Sequence, residues 1–364
     1  LESYIAQDEA ATRDFMLQLT LAMVLATIAV VLIVTRLSIA RPIERLAGAV
    51  AALGSGALDA PAVETRSNDE IGDLGKAFNT MVGRLREQVA ALTRETRARE
   101  SVESELRIAR EIQRSLLPRK LPPMAGRGLF DLDAFNGAAR QVAGDFYDFF
   151  ILPDGRLAIV IADVCGKGVP AAMFMAVART VVRNLVLNGR PPGRVLTEAN
   201  RTLLADNTRG LFVTLLVALY EPETGRLRYA NGGHPRPLVL APDRTVRQFG
   251  TVTGTVVGVL PDETWDEAEE RLGPGDTLVM FTDGATDARP PGGELFGEHR
   301  LRELVREAPE VSVEALCTRI VQRLDEYATR DWTDDVTLLV LRRTGNAPAA
   351  RSGIHTPAGA KDAG

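Results

Sequence analysis

Four aspartates are the residues of this sequence whose type and placement could do hydrolytic chemistry. Asp145, Asp163, Asp283 and Asp334 each lie at the end of a predicted strand or in the turn beside it. Carboxylates that gather without a Cys/His cluster suit hard cations such as Mg²⁺ or Mn²⁺. Two such ions about 3.5–4 Å apart can bind a phosphoryl group and activate a water molecule. A metal would also explain why four like charges converge.

Taken singly, these and the neighbouring reactive side chains have structural interpretations. An isolated Asp is more often a turn or cap residue. We expect His234 to hold a tight turn, and Arg140 and Lys167 to be solvated, as most charged side chains are. Cys165 is of the nucleophile type but has no visible His partner, so thiol catalysis is not expected. The proton source for a leaving group stays unassigned.

The elements that must position the aspartates are short strands and paired helices in the carboxyl-terminal two-thirds of the chain. Apolar runs bounded by turn residues predict the strands, and Pro153-Asp154-Gly155 predicts the turn between the first two. The predicted strands are Phe146–Leu152, Leu157–Val164, Phe212–Tyr220, Leu227–Ala230, Pro237–Leu240, Thr277–Phe281 and Val336–Arg342. The predicted helices are Gly166–Asn188, Gly193–Asp206, 298–307 and 312–328. Strands in runs with helices in pairs indicate α+β layering.

An uncharged apolar stretch near the start of the chain predicts a transmembrane helix. Phe15 to Thr35 would reach roughly 31 Å at ~1.5 Å per residue, enough to cross a bilayer. The alternatives are a buried soluble helix and a signal peptide, whose apolar region is shorter. Arginines follow the stretch and acidic residues precede it, which places the remainder in the cytoplasm. We therefore expect a protein of the cell membrane with a cytoplasmic catalytic region.

Two amphipathic helices are predicted directly after this stretch. The first runs from Pro42 to Leu53 and the second begins near Asp69-Glu70, with apolar residues every three or four positions. The membrane-proximal proline, the Asp69-Glu70-Ile71-Gly72 element and the Phe78-Asn79-x-Met81 stretch resemble a HAMP domain. A HAMP unit is a parallel four-helix bundle built by two chains, so the resemblance implies a homodimer.

A further long helix, rich in Arg and Glu, is predicted at 86–117. Three leucines share a seven-residue grid with Arg99 and Gln113, which indicates an imperfect coiled coil with a polar middle. Pro118 and the Pro122-Pro123 pair are expected to end the helix.

Six motifs in the remainder resemble, in family order, the SpoIIE/RsbU-like branch of the PPM protein phosphatases. They are Gly144-Asp145-Phe146-Tyr147-Asp148-Phe149-Phe150, Ala162-Asp163-Val164-Cys165-Gly166-Lys167-Gly168-Val169-Pro170-Ala171-Ala172, Asn231-Gly232-Gly233-His234-Pro235, Phe281-Thr282-Asp283-Gly284, Leu295-Phe296-Gly297 and Asp334-Asp335-Val336-Thr337-Leu338. The resemblance covers roughly residues 106–343. Ala143 replaces a usual glycine, and Cys165 stands where relatives often carry serine.

The resemblance implies an αββα sandwich of two central sheets with flanking helices. It implies hydrolysis of phosphoserine or phosphothreonine, typically on a STAS-domain anti-sigma factor antagonist, with the four aspartates as the catalytic set. The implied ligands of two Mn²⁺ or Mg²⁺ ions are Asp145, Asp163, the Val164 backbone carbonyl, Asp283 and Asp334. The stretch 105–121 resembles the helical linker that, in relatives, couples an upstream sensor to phosphatase activation.

Other functions fit the sequence less well. A histidine kinase behind a HAMP unit needs a phosphoacceptor His on the following helix, and the first His of the chain is His234. A diguanylate cyclase is suggested by Ala143-Gly144-Asp145-Phe146, but an acidic residue of that motif is missing and the later motifs would be unexplained. The remaining alternative is a phosphatase fold that binds a partner without turnover, and retention of all four aspartates argues against it.

Composition and length limit the number of domains, the kinds of partner and the compartment. The chain has 364 residues and begins with Leu1, which indicates two or three domains of a partial chain. A net charge of -5 argues against nucleic acid as the main partner, and two cysteines without a pairing pattern fit a reducing compartment. The predicted segments are 1–14, the end of an extracytoplasmic segment; 15–35, the transmembrane helix; 36–90, the HAMP domain; 91–120, the helical linker; 121–343, the phosphatase domain; and 344–364, a disordered tail.

Overall fold

The computed structural model describes residues 2–59, 61–64, 69–118, 128–205, 207–307, 311–329 and 332–345. The chain divides into two compact units, Leu1–Val102 and Glu103–Gly364. The predicted effect of Pro122-Pro123 and the predicted disorder of the tail from 346 onward concern residues outside the described part. The domain boundaries given above stay predictions.

The first unit consists of long helices joined nearly end to end. Helix α1 (Glu2–Thr35) continues through a π-helical turn (Arg36–Ala40) into α2 (Arg41–Gly54), and α3 (Glu70–Leu116) starts after a connector. Pro42 lies in the first turn of α2, directly after the π-helical turn, and has no N–H to donate to that preceding turn. The region that contains Phe15 to Thr35 is long and apolar enough to cross a membrane by length and composition, and its side chains are exposed.

The connector between α2 and α3 is fixed by side-chain hydrogen bonds. The carboxylate of Asp69 accepts the N–H groups of Ile71 and Gly72 at 3.1 and 3.0 Å, so it caps α3 where the sequence predicts the helix to begin. The amide of Asn79 both accepts from the Val63 N–H and donates to the Val63 carbonyl, each at 3.0 Å. The connector is therefore pinned against the first turns of α3.

The apolar faces of α2 and α3 remain largely open to solvent within one chain. Their exposed members, with relative accessibilities, are Ile43 (50%), Val50 (51%), Leu74 (56%) and Met81 (52%). Amphipathic helices gain most of their stability by burying such a face against another surface.

The described residues of the second unit form ten strands in two antiparallel sheets. The strands are β1 (Phe130–Gly137), β2 (Phe146–Ile151), β3 (Leu157–Val164), β4 (Val213–Glu221), β5 (Arg226–Gly232), β6 (Leu238–Leu240), β7 (Val246–Gln248), β8 (Ala268–Arg271), β9 (Thr277–Phe281) and β10 (Val336–Arg343). Sheet A has the order β1-β10-β9-β6-β7, and sheet B has the order β2-β3-β4-β5-β8.

Alternation along the strands of sheet A explains how the layers stack. In β9, Leu278 and Met280 join the core that faces sheet B, whereas Val279 and Phe281 join a second core. Successive side chains of a strand point to opposite faces, so a strand buried on both faces must be apolar throughout. Sheet A therefore has a sheet on one face and helices on the other.

Helices cover the outer face of each sheet. Helices α4 (Val169–Leu187) and α5 (Pro192–Ala205) pack on sheet B, and α7 (Gly297–Arg306) and α8 (Val313–Tyr327) pack on sheet A. A short α6 (Gly284–Asp287) follows β9. The predicted αββα sandwich is confirmed. The sequence pattern does not predict β1, β7 or β8. Strands β7 and β8 are short and partly polar, and β1 carries several polar residues.

The carboxyl-terminal end of α3 is attached, within the second unit, to the loop that precedes β2 by side-chain hydrogen bonds. The Gln113 side chain is buried, donates to the Ala143 carbonyl at 2.6 Å and accepts from the Ala143 N–H at 3.0 Å. The predicted coiled coil stays a prediction, and Gln113, the last position of its seven-residue grid, is not free for a second helix. It pairs instead with the backbone of the loop that precedes β2.

Candidate active site

Asp145 and Asp163 come from neighbouring strands of sheet B. Asp145 precedes β2, and Asp163 is the penultimate residue of β3. Their carboxyl groups are hydrogen-bonded to each other. Burial raises the pKa of Asp145 well above its usual range, and the charge of Asp163 adds to the rise. Burial also raises the pKa of Asp163, and the hydrogen bond with Asp145 acts against this rise.

Sheet A supplies Asp283 and Asp334 at the same end of the sandwich. Asp283 follows β9 and begins α6, and Asp334 precedes β10. Burial raises the pKa of Asp283 to about 6, with further contributions from the charges of Asp163 and Asp334. The charge of Asp334 likewise raises the pKa of Asp163. The structure thus brings the four predicted aspartates of two sheets into one electrostatic cluster.

Backbone close to the cluster requires glycine at two positions. A Cβ on Gly144 would lie 2.9 Å from the carbonyl oxygen of Val164, and one on Gly284 would lie 1.9 Å from the carbonyl oxygen of Asp335. The Val164 carbonyl therefore faces the loop that carries Asp145. The motif glycines beside Asp145 and Asp283 are explained by these close approaches.

The residues that hold the cluster in place were missed by sequence reasoning. The Thr282 hydroxyl donates to Asp145 Oδ2 at 2.6 Å and accepts from the Thr337 N–H at 3.0 Å. The buried carboxylate of Asp335 accepts from the N–H groups of Ala139 and Gly144 at 2.8 and 2.7 Å. The bonds to Asp145, Ala139 and Gly144 join sheet A to the loop before β2. The Asp334-Asp335 doublet was a visible signal, but its second member was not assigned a role.

Lys167 differs from its prediction as a solvated side chain. Its ammonium lies 2.8 Å from Asp334 Oδ2 and also donates to the Thr333 carbonyl. Its charge lowers the pKa of Asp163, against the dominant effect of burial. A local sequence pattern could not reveal this contact, because the loop after β3 and the start of β10 are far apart in the chain.

The other reactive side chains have the structural environments expected of them. His234 is buried, its Nδ1 lies 2.9 Å from the Thr214 hydroxyl, and its backbone exchanges hydrogen bonds with the Asn231 side chain. Burial lowers the pKa of His234 to about 3, so the ring is neutral at physiological pH. Cys165 is half-buried and its sulfur accepts the Phe212 N–H at 3.0 Å. Arg140 is exposed.

The donor set fits a hard divalent cation in its chemistry. The cluster offers carboxylate oxygens and a backbone carbonyl, the ligands that Mg²⁺ and Mn²⁺ prefer. Like charges that raise one another's pKa are stabilised by a bound cation. Within the described ranges, no three Asp, Glu, His or Cys side chains already stand around a single point as a formed ion site. Asp145 pairs with Asp163, and Asp334 pairs with Lys167, so binding of ions requires these side chains to exchange partners.

Comparison with known families matches two parts of the chain. Residues 153–344 match the family described as Stage II sporulation protein E (SpoIIE), and residues 34–87 match the HAMP domain. The first match contains Asp163, Asp283 and Asp334, and begins after Asp145. The HAMP match covers the π-helical turn, α2 and the first part of α3.

Two curated proteins and one solved structure illustrate the relationship. The chain is 30% identical to Protein IcfG of Synechocystis sp. over 83% of its length and 51% of that protein. It is 31% identical to the phosphoserine phosphatase RsbU of Bacillus subtilis over 67% of its length and 71% of that protein. The SiaA-PP2C domain of Pseudomonas aeruginosa has the same fold, with a TM-score of 0.60 and 23% identity, over 67% of this chain and 98% of that domain.

Proposed function

We propose, from the premise that this chain belongs to the SpoIIE family of PP2C-type serine phosphatases, that it hydrolyses phosphoserine or phosphothreonine in a protein substrate. The observation that carries the proposal is the convergence of Asp145, Asp163, Asp283 and Asp334 from two sheets at one end of the sandwich. A structural role for each aspartate would not require this convergence.

We assign the four aspartates and the Val164 carbonyl as ligands of two Mn²⁺ or Mg²⁺ ions. The chemistry that such ions supply when bound is a water activated for attack and neutralisation of the phosphoryl oxygens. Thr282 orients the Asp145 carboxyl, and Asp335 holds the loop before β2 through two backbone N–H groups. Supporting bonds of this kind set ligand geometry and basicity.

The substrate that we propose is a phosphorylated STAS-domain anti-sigma factor antagonist. Support comes from the family resemblance and from a relative, RsbU, that is named a phosphoserine phosphatase. The chain spans 51% of IcfG and 71% of RsbU, so the partners of those whole proteins are not carried over directly. Capture by an inactive Asp163→Asn chain from cells, followed by phosphosite mapping, tests this substrate class. Recovery of phosphoproteins that lack a STAS domain would contradict it.

We further propose that the chain is anchored in the cell membrane and dimerises through its HAMP unit, with the phosphatase in the cytoplasm. The long apolar α1 supports the anchor. The exposed apolar faces of α2 and α3 support a second chain as their partner. Val50→Cys, on the apolar face, should form an intermolecular disulfide in membranes, whereas Glu44→Cys should not. Equal cross-linking at both positions would contradict a specific bundle.

The catalytic proposal is tested with a phosphoserine peptide and the full chain in detergent. Wild-type protein should release phosphate only with Mn²⁺ or Mg²⁺, and Asp163→Ala should release none. Asp154→Ala is the matched control, because Asp154 lies in an exposed turn and pairs with Arg156. Phosphate release that persists in Asp163→Ala would contradict the metal assignment. Metal binding without turnover in wild-type protein would favour a non-catalytic sensor instead.

A further inference from the structure

Lys167 occupies a loop whose geometry directs it to the carboxylate cluster. It lies between Gly166 and Gly168, whose φ values are +88° and +80°, a region that side chains other than glycine rarely adopt. The loop connects β3 to α4. From this sheet B loop, the ammonium reaches the residues that precede β10 of sheet A, at 2.8 Å from Asp334 Oδ2. About a third of the side chain is exposed, so the ammonium is accessible from solvent.

The charges of the cluster leave a specific need for a cation beside the substrate. Four carboxylates are matched by two divalent ions, but a phosphoryl group adds about two further negative charges. Lys167 is a cation that the structure places at this cluster, with its ammonium in direct contact with Asp334 Oδ2. The charge of Lys167 acts on Asp163, which belongs to sheet B, and on Asp334, which belongs to sheet A. It is therefore positioned to act on a ligand that lies between the sheets.

We propose that Lys167 is a substrate-binding residue, which exchanges Asp334 for the phosphoryl oxygens of the phosphoserine or phosphothreonine. The inference rests on the proposed function and names the side chain that recognises the phosphoryl group there. An ammonium on a four-carbon stem carries three donors and can change partners by rotating its own bonds. When Asp334 coordinates a cation, its attraction for the ammonium falls, and a phosphoryl oxygen becomes the stronger partner.

A purely structural role for Lys167 makes a different prediction about metal affinity. If Lys167 served only to hold Asp334 in place, its loss would weaken binding of Mn²⁺, and phosphate binding would fall as a consequence. If Lys167 binds the phosphoryl group, its loss leaves Mn²⁺ affinity unchanged or stronger, because a competitor for Asp334 is removed. Phosphate affinity then falls without any loss of Mn²⁺ affinity.

The experiment measures the two affinities separately by calorimetry on the full chain in detergent, without turnover. Mn²⁺ is titrated first, and inorganic phosphate is then titrated into Mn²⁺-saturated protein. Lys167→Met should weaken phosphate binding by about 10- to 100-fold, the usual range for a hydrogen bond to a charged group, and should not weaken Mn²⁺ binding. Lys167→Arg, which keeps the charge, should retain most of the phosphate affinity. Thermal melting checks that both variants fold.

Arg140 provides the matched control, because it is an exposed cation on the loop that precedes Asp145. Arg140→Met should bind phosphate as the wild type does. The proposal is overturned if Lys167→Met keeps full phosphate affinity, if its Mn²⁺ affinity falls in parallel, or if Arg140→Met is the variant that loses phosphate. Lys167-dependent phosphate binding without release from a phosphoserine peptide would contradict the proposed function and leave this inference standing. Wild-type protein that binds neither ligand would overturn both.

Discussion

The two pairs of aspartates in the candidate site have opposite environments. Asp145, from sheet B, is 1% exposed and hydrogen-bonded to Asp163. Asp334, from sheet A, has a side chain that is 38% exposed and is paired with a lysine. Asp283 is also exposed. One half of the site is built into the core, and the other half is open to solvent.

This difference indicates how a buried cluster of like charges can persist. A buried carboxylate is costly unless hydrogen bonds or a cation compensate it. Sheet A supplies that compensation to the sheet B pair through Thr282, and it holds the loop before Asp145 through Asp335. The exposed pair needs less compensation, because water and Lys167 partly solvate it, although partial burial still raises the pKa of Asp283. We therefore expect changes in the buried half to alter both stability and activity, and changes in the open half to alter mainly activity.

The largest effect is expected from Asp145→Asn compared with Asp283→Asn. Both should lose activity by more than the ~10–100-fold that is typical of supporting residues, because each removes an assigned ligand. Asp145→Asn should also raise the melting temperature of the metal-free protein, because it removes a buried charge and keeps an acceptor for Thr282. The rise should be smaller in Asp283→Asn. Calorimetric melting with and without Mn²⁺ checks this, and equal shifts would break the distinction between the two halves.

The next effect concerns the hydroxyl that joins the two halves. Thr282→Val removes a donor to Asp145 and an acceptor for the Thr337 N–H, so unfolding should become easier by about 1–3 kcal/mol. Mn²⁺ affinity should fall by roughly 10- to 100-fold. Thr286→Val is the control, because its exposed hydroxyl donates only to nearby acceptors in the same segment, at 2.9 Å to the Asp283 carbonyl. Chemical denaturation should show a change within about 0.5 kcal/mol for this control.

Asp335→Asn tests the anchoring of the loop before Asp145. An amide offers one acceptor oxygen to the Ala139 and Gly144 N–H groups that the carboxylate now satisfies. Burial disfavours the charge of Asp335, as its raised pKa indicates, so removal of that charge offsets part of the lost hydrogen bonding. We expect the free energy of unfolding to fall by about 1 kcal/mol. Asp243→Asn, at an exposed turn where the side chain accepts the Thr245 N–H, should change stability less. A loss at position 243 equal to that at 335 would argue against a special role for Asp335.

The last effect, which appears only as the pH falls below about 6.5, is a pH dependence carried by His234, in the segment that passes from sheet B to sheet A. Its pKa falls from an ordinary value near 6.5 to about 3 in the folded protein. Below about pH 6.5 the unfolded chain therefore binds a proton that the folded chain does not, and stability falls by up to ~1.4 kcal/mol per pH unit. Asp283 acts in the opposite direction, because its raised pKa of about 6 makes the metal-free fold bind the extra proton.

His234→Gln separates these opposing contributions. The wild-type protein should lose stability relative to the variant as the pH falls from 6.5 towards 5, whatever the carboxylates contribute to both. Urea denaturation at pH 7.5, 6.5 and 5.5 measures the difference. A difference that does not change with pH would mean that His234 is not neutral in the fold.

The sequence alone predicts the bounds of an element correctly where the signal is local. The strands Leu157–Val164 and Thr277–Phe281 were predicted with the observed bounds, because each is an apolar run that ends at a polar turn. The start of α3 followed from the capping character of Asp69. The four aspartates were found because each ends or begins a strand within a recognisable motif.

The contacts that complete the site could not be predicted, because they join distant parts of the chain. Thr282 and Asp145 are 137 residues apart, and Asp335 and Gly144 are 191 residues apart. No periodicity or propensity encodes which polar residue of one sheet faces a loop of the other. Lys167 was taken as solvated for the same reason, since its partner Asp334 belongs to the other sheet.

The most direct test of the central claim is the location of bound ions. Anomalous diffraction from crystals of this chain grown with Mn²⁺ should give two peaks between the sheets. Asp145 and Asp163 would ligate from one side, Asp283 and Asp334 from the other, and Lys167 would be displaced from Asp334. Manganese peaks that contact only one sheet, or none near these aspartates, would contradict the account.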